Sequence, residues 1–228
     1  MARVAAEANG FPLIDIALRD MDVPLSELGE RQSRAVGVWL GGLGRRTPSV
    51  VLASPYVRAQ RTAAVALATA GLELPVVLDE RLREREFGVL DRLTKLGIEQ
   101  RYPEQAEVRA RLGKFYHRPP GGESWCDVAL RVRSVLDSVT REHSGERVLI
   151  VAHQVVIMMF RYVIEHLTEA DVLRIARETD LANCSLTSFK IDRRNPNGMT
   201  LERFNEVFPL EEAHAPVTHE TDVPVAPR

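Results

Sequence analysis

Cysteine is scarce in this sequence, and the little there is makes no metal or redox motif. Cys126 and Cys184 stand far apart and form no CxxC pair, which points to reduced, structural thiols in a cytoplasmic protein and away from zinc or disulfide chemistry. Excess charge is also lacking. The net charge is −2, so there is no bulk electrostatic case for nucleic acid or an anionic membrane. No apolar run approaches the roughly 18 residues of a membrane span. The start, MARVAAEANGF, has no apolar core and carries Glu7 and Asn9, unlike a secretory signal. There is no GxxxxGK[ST] loop, no GxSxG elbow, no HExxH and no GxGxxG. Those gaps argue against an NTPase, a serine hydrolase, a zinc protease and a dinucleotide enzyme.

What is present is an ordinary globular balance, 45% apolar and 27% charged residues over 228 positions, enough for one generous domain. Helix and strand patterns alternate. Leu25 to Leu43 places Val36, Trp39, Leu40 and Leu43 on one helical face. Ser49 to Ala53 reads as a short apolar strand, Arg58 to Ala70 as an alanine-rich helix, and Leu74 to Leu78 as a second strand. Thr94 to Lys114 is helical with a break near Pro103. Ser124 opens a helix, with Asp127 completing a capping box and Val128, Val132, Val135 and Val139 on the inner face. Arg147 to Ala152 (RVLIVA) is the strongest strand signal, followed by a helix through Val163. Cys184 to Ile191 and Met199 to Phe204 read as a hairpin across Asn195-Pro196-Asn197-Gly198. The pattern is α/β, mainly parallel, ending in an antiparallel pair. The first 22 residues are weakly patterned, and 210–228, with Pro216, Pro224 and Pro227, reads as a disordered polar tail behind a single domain of residues 1–209.

Three residues stand where α/β proteins place chemistry. His153 follows the apolar strand RVLIVA and precedes a helix; ligands bind beyond the carboxyl ends of such strands, and a helix start offers free N–H groups to an anion. The competing reading is a core histidine bonded to backbone. Arg58, in Ser54-Pro55-Tyr56-Val57-Arg58-Ala59, also lies just past a strand, where a guanidinium can grip a phosphate with two parallel bonds; otherwise it is a solvated helix arginine, as Arg61 is expected to be. Glu84, in the charged run Asp79 to Gly88, suits a general acid, because a neighbouring phosphate raises a carboxyl group's pKa. Mixed charge runs are more often solvated faces. His117 and Arg118, ahead of the Pro119-Pro120-Gly121-Gly122 turn, are weaker candidates for touching a substrate.

Together SPYVRAQRTA, LREREFG, PPGGESW and VLIVAHQ resemble, in order and spacing, the histidine phosphatase superfamily, the group similar to cofactor-dependent phosphoglycerate mutase. The likeness runs from about Pro24 to Asn205. It implies a three-layer α/β/α sandwich with a mostly parallel mixed sheet. It also implies a phosphate-gripping Arg58, a general-acid Glu84, and a His153 that donates hydrogen bonds to the transferring phosphoryl group, with the backbone N–H of Gln154 beside it. The substrate would be a small phosphorylated metabolite, a sugar phosphate or phosphoglycerate, handled with no cofactor and no metal, since cationic side chains neutralise the phosphoryl oxygens.

The chain departs from the family at one point. The family opens with an apolar strand ending in Arg-His-Gly, which supplies the histidine that attacks phosphorus. No such motif is present, and of His117, His143, His153, His166, His214 and His219 none lies near the N-terminus. The chain as it stands is therefore expected to lack a nucleophile and to be inactive. The family's first strand lies inside the sheet beside the counterpart of RVLIVA, so two strands should be left with unpaired edges. Each buried unsatisfied group costs roughly 1–3 kcal/mol against a total stability of about 5–15 kcal/mol. The corresponding expectation is that Met1 is not the native start and that roughly 10–20 residues, a strand and its turn, are encoded upstream. The rival expectation, from a different class, is a non-catalytic phospho-ligand-binding or scaffold protein. Within the family, phosphatase is favoured over mutase, because no added segments that would close the site are identifiable.

Overall fold

Alternate residues of each central strand face different cores, and that alternation defines the layers. The computed structural model describes residues 6–192 and 198–219. β1 (Val50–Ala53), β2 (Val76–Leu78) and β3 (Val148–Val151) form a parallel sheet in the order β2-β1-β3. Leu52, with Val50, Val148 and Ile150, meets one core, while Val51 and Ala53, with Leu149 and Val151, meet another. This is the pattern of a sheet covered on both faces.

One cover is α1 (Glu27–Gly41) with α2 (Val57–Ala70). Ser26 caps α1, its Oγ accepting from Gly29 N at 3.1 Å. The two helices cross closely at Gly37, where a Cβ would sit 2.6 Å from the Ala66 carbonyl oxygen and from Thr69 Cβ. α2 ends at Gly71 with φ +69°, a left-handed cap. The short α3 (Lys95–Arg101) and α4 (Pro103–Tyr116) follow, broken at Tyr102 as the proline predicts. The opposite cover is α5 (Trp125–Glu142) with α6 (Gln154–Ile164). The Ser124–Asp127 capping box opens α5, and Val128, Val132 and Val135 are fully buried beneath it. α7 (Glu169–Glu178) starts on a second capping box, Thr168 with Asp171, that the sequence analysis passed over.

β4 (Leu186–Ile191) and β5 (Met199–Glu206) pair antiparallel, as expected; of the expected turn, Asn195-Pro196-Asn197 lie outside the described residues. The strands form two ladders instead of one continuous mixed sheet. Among the described residues β3 pairs only with β1, and β4 only with β5. Both ladders nevertheless pack on one core, with Val148 and Ile150 from β3 and Phe189, Met199 and Phe204 from β4 and β5. β3 is only half-buried along its whole length.

The tail needs correction. Residues 210–219 are packed: α8 (Phe208–Glu212) buries Leu210 completely, and Gln32 Nε2 donates to the Pro216 carbonyl at 2.8 Å and to Thr218 Oγ1 at 3.0 Å. Polar composition hid two apolar anchors, Leu210 and Ala215, that fill the core under α1. Pro224 and Pro227 lie outside the described residues. Leu210→Ala is expected to lower stability by about 2–3 kcal/mol, measured by urea unfolding; a change below about 0.5 kcal/mol would mean the segment is not anchored.

Candidate functional site

The three parallel strands end on one edge of the sheet, and their next residues build a cluster there. Ser54 N–H donates to the Val151 carbonyl at 2.9 Å, and Asp79 N–H to the Ala53 carbonyl at 3.0 Å, so the ends of β1, β2 and β3 are tied together. That edge carries Ser54 to Arg58, the 79–86 loop, and His153 with Gln154, the location expected of ligands in open α/β sheets.

His153 caps α6 and lies 2.8 Å through Nε2 from the Ser54 hydroxyl, which is itself fully buried. Ser54 Oγ also accepts from Tyr56 N–H at 3.2 Å. Burial, and then the positive fields of Arg58 and Arg131, push the imidazole down to about 3, so at neutral pH it is an uncharged ring with one donor and one acceptor nitrogen. Gln154 is the first residue of α6. The N–H groups of such a first turn have no partner within the helix, and the first intrahelical bond here is Ile157 N–H to the His153 carbonyl at 2.9 Å.

Arg58 reaches the same place from the first turn of α2. Its guanidinium lies 4.8 Å from the Tyr56 ring centroid. The Tyr56 ring in turn meets the His153 ring at 4.9 Å and 61°. In this structure Arg58 is held by Asp20: Nη1 and Nη2 each lie 3.1 Å from a carboxylate oxygen, and Nη1 donates to the Asp20 carbonyl at 2.7 Å. A carboxylate thus sits in the fork that would take a phosphate. Asp20 is 44% exposed, and an exposed pair of this kind is worth only about 0.2–1 kcal/mol. Asp20→Ala should therefore tighten binding of inorganic phosphate about threefold to fivefold in calorimetric titration; weaker binding would make Asp20 a ligand partner instead of a competitor.

Glu84 arrives on the loop after β2. Its carboxylate accepts from Arg85 N–H at 2.7 Å, and its carbonyl accepts from Arg131 Nη2 at 3.3 Å. Its negative field, with those of Asp20 and Glu86, acts on Tyr56, whose hydroxyl is pushed up to about 12, first by burial. Arg58 and His153 thus both meet the Tyr56 ring, while Glu84 stands on the neighbouring loop, close enough for its charge to act on Tyr56. The loop is clamped from α5. Arg131 donates to the Arg81 carbonyl at 2.6 Å and pairs with Glu123, which also takes Arg83 at 2.6 Å and Glu86 N–H at 3.1 Å.

His117 and Arg118 are placed differently from the expectation. His117 is 1% exposed, with Nε2 3.3 Å from Gln105 Oε1 and Nδ1 unpartnered. Arg118 spends its guanidinium on Asp127 at the start of α5. Arg61 is an exposed arginine paired with Glu30, as anticipated. Sequence reasoning missed Ser54, Tyr56, Asp20, Glu123 and Arg131. Ser54, Tyr56 and Glu123 lay inside the quoted fragments; Asp20 lay in the weakly patterned start, and nothing local marked Arg131.

The two buried imidazoles set an acid limit. Burial, helped by Arg109 and Arg85, pushes His117 down to about 4 from 6.5, as burial pushes His153 to about 3. The unfolded chain then binds more protons than the folded one between these values and 6.5, so stability is full above that range and falls as pH drops through it. His117→Gln should remove up to about 1.4 kcal/mol per pH unit from the slope of stability between pH 6 and pH 4, read from urea melts.

A separate cavity of about 350 Å³ is lined by Arg133, Asp137, Tyr162 and His166 among others. It lies at the far end of α6 from His153, an 11-residue helix and so roughly 15 Å away. Among the described residues no cluster of His, Cys, Asp and Glu is arranged to hold a metal, and no helix is long and apolar enough to cross a membrane.

Comparison with known proteins gives a consistent picture. The histidine phosphatase superfamily (branch 1) matches residues 14–206 of the chain. A 2,3-bisphosphoglycerate-dependent phosphoglycerate mutase of Methylobacterium radiotolerans is 38% identical over 154 residues, 66% of this chain and 72% of that protein. The structure of a mycobacterial glucosyl-3-phosphoglycerate phosphatase with inorganic phosphate is similar with a TM-score of 0.67 and 27% identity, covering 86% of this chain and 94% of that one. An alpha-ribazole phosphatase from Shigella flexneri, at 21% identity and a TM-score of 0.68 over 84% of this chain and 89% of that one, shares the fold.

Proposed function

The chain belongs to the histidine phosphatase superfamily, and we propose that its site takes the phosphoryl group of a small phosphomonoester, with phosphatase chemistry the reaction of the complete site. The observation that supports this reading is the meeting of Arg58 and neutral His153 on the Tyr56 ring at the carboxyl ends of three parallel strands, with Glu84 on the loop that follows β2. Arg58 offers a fork to two phosphoryl oxygens. His153 offers a ring N–H, and the first turn of α6 offers the N–H of Gln154.

In the complete reaction a histidine nitrogen attacks phosphorus, the P–O bond to the leaving group breaks, and Glu84 gives its proton to the departing oxygen. Water then attacks the phosphohistidine, Glu84 takes a proton from it, the P–N bond breaks, and inorganic phosphate leaves. None of the six histidines is placed for the first step. His153 serves the anion, His117 is buried against Gln105, His143 pairs with Glu146, His166 closes the far end of α6, His214 follows α8, and His219 bonds the Asp180 carbonyl. The phosphatase and mutase names of the similar proteins support either member of that chemistry; phosphatase is preferred because nothing identifiable closes the site over a retained phosphoryl group.

The second reading, phospho-ligand binding without turnover, rests on the same cradle and the missing nucleophile. An aryl-phosphate hydrolysis assay on this chain, and on a version lengthened at its N-terminus by a strand carrying Arg-His-Gly, separates the two. Turnover in the lengthened protein alone, with a phosphohistidine signal in phosphorus NMR, supports the phosphatase. Phosphate binding without turnover in both supports the binding protein. Neither binding nor turnover in either rejects the site.

A further inference from the structure

The cradle has a component that neither the motifs nor its charge accounts for. Tyr56 is 5% exposed, and its buried ring meets two polar groups. The Arg58 guanidinium lies over the ring, 4.8 Å from its centroid, while the ring meets the His153 imidazole edge-on at 4.9 Å. The backbone closes the same circle. Tyr56 N–H donates to Ser54 Oγ, and Ser54 Oγ is the partner of His153 Nε2. Tyr56 is also the N-cap of α2, two positions before Arg58, and its carbonyl accepts from Gln60 N–H at 3.1 Å, so its backbone starts the helix that delivers the guanidinium.

We infer that Tyr56 is the positioning residue of the anion site, its ring setting the distance between the Arg58 guanidinium and the His153 imidazole. The inference rests on the phosphate-binding reading of that site. A guanidinium on a flexible stem is well placed only if something other than the ligand holds it. Here Asp20 does so on one side and the Tyr56 ring on the other. Once an anion displaces Asp20, the ring is the contact that remains. Aromatic rings attract a guanidinium through the ring face, and an edge-on aromatic pair prefers the separation found here between Tyr56 and His153. Burial, and then the carboxylates of Asp20, Glu86 and Glu84, push the Tyr56 hydroxyl up to about 12, so the ring adds no negative charge where the anion must enter.

The test compares Tyr56→Phe, which keeps the ring, with Tyr56→Leu and the more space-filling Tyr56→Met, which remove it. Calorimetric titration with inorganic phosphate is one readout. The other is the proton titration of the His153 imidazole, followed by NMR without ligand. The two aliphatic variants should bind phosphate about fivefold to thirtyfold more weakly and titrate His153 closer to an ordinary histidine, while the phenylalanine variant retains most of both properties. Aliphatic variants that fold, bind phosphate like the parent and leave the His153 titration unmoved would overturn the inference, as would a phenylalanine variant as impaired as leucine. If the parent itself binds no phosphate, the anion-site reading fails, whereas the His153 titration still decides whether the ring positions the imidazole.

Discussion

Arg58→Ala weakens inorganic phosphate binding by about 100-fold, and Arg61→Ala, one turn along the same helix, changes it by less than about twofold. The difference follows from what each guanidinium can reach. Two charge-assisted bonds from one fork are worth about 3 kcal/mol together, and a tenfold change in affinity corresponds to about 1.4 kcal/mol. Arg58 has its fork at the strand ends, 23% exposed and engaged by a carboxylate. Arg61 is 53% exposed and spent on Glu30. Arg58→Lys keeps the charge and loses the planar fork, so its loss should fall between the two, about tenfold. Calorimetry on the three variants reads all of this. Equal losses for Arg58→Ala and Arg61→Ala would reduce the effect to general electrostatics.

Arg131→Met is expected to lower stability by about 1–3 kcal/mol, the cost of leaving buried acceptors without their donor, and Tm by on the order of 5 °C for a chain of this size. Arg131 and Glu123 are 9% and 13% exposed, and Arg131 also satisfies the Arg81 and Glu84 carbonyls. Removing it leaves the Glu123 carboxylate with Arg83 and the Glu86 N–H only, and frees the loop that holds Glu84. The double replacement with Glu123→Met should cost less than the sum of the single ones, since the Arg131–Glu123 contact is then lost once and not twice. Strict additivity in thermal melts would show that the pair is not coupled.

Much of the fold was legible because its signals are local. Capping at Ser124, the apolar run at Val148, the break at Pro103 and the alanine-rich α2 each announce themselves within a few residues. The packed segment 210–219 was not legible, because two apolar anchors in a polar stretch leave no periodicity. Arg58, Glu84 and His153 could be picked out by their positions after strands, but their neighbours could not. Asp20 meets Arg58 from 38 residues away and Arg131 meets Glu84 from 47 residues away; contacts of that span depend on how the sheet edge is assembled. His117 shows the opposite case: its place beside a Gly-rich turn suggests access, whereas its imidazole is 1% exposed and lies 3.3 Å from Gln105 Oε1.

The central claim is that Arg58, His153 and Glu84 converge on one tetrahedral anion. Its most direct test is a crystal structure of the protein soaked with tungstate. The account predicts the heavy atom within hydrogen-bonding reach of the Arg58 guanidinium and the His153 ring, with Asp20 withdrawn from Arg58. Tungstate seated in the Arg133 and His166 cavity instead, with the Asp20–Arg58 pair intact, would contradict it.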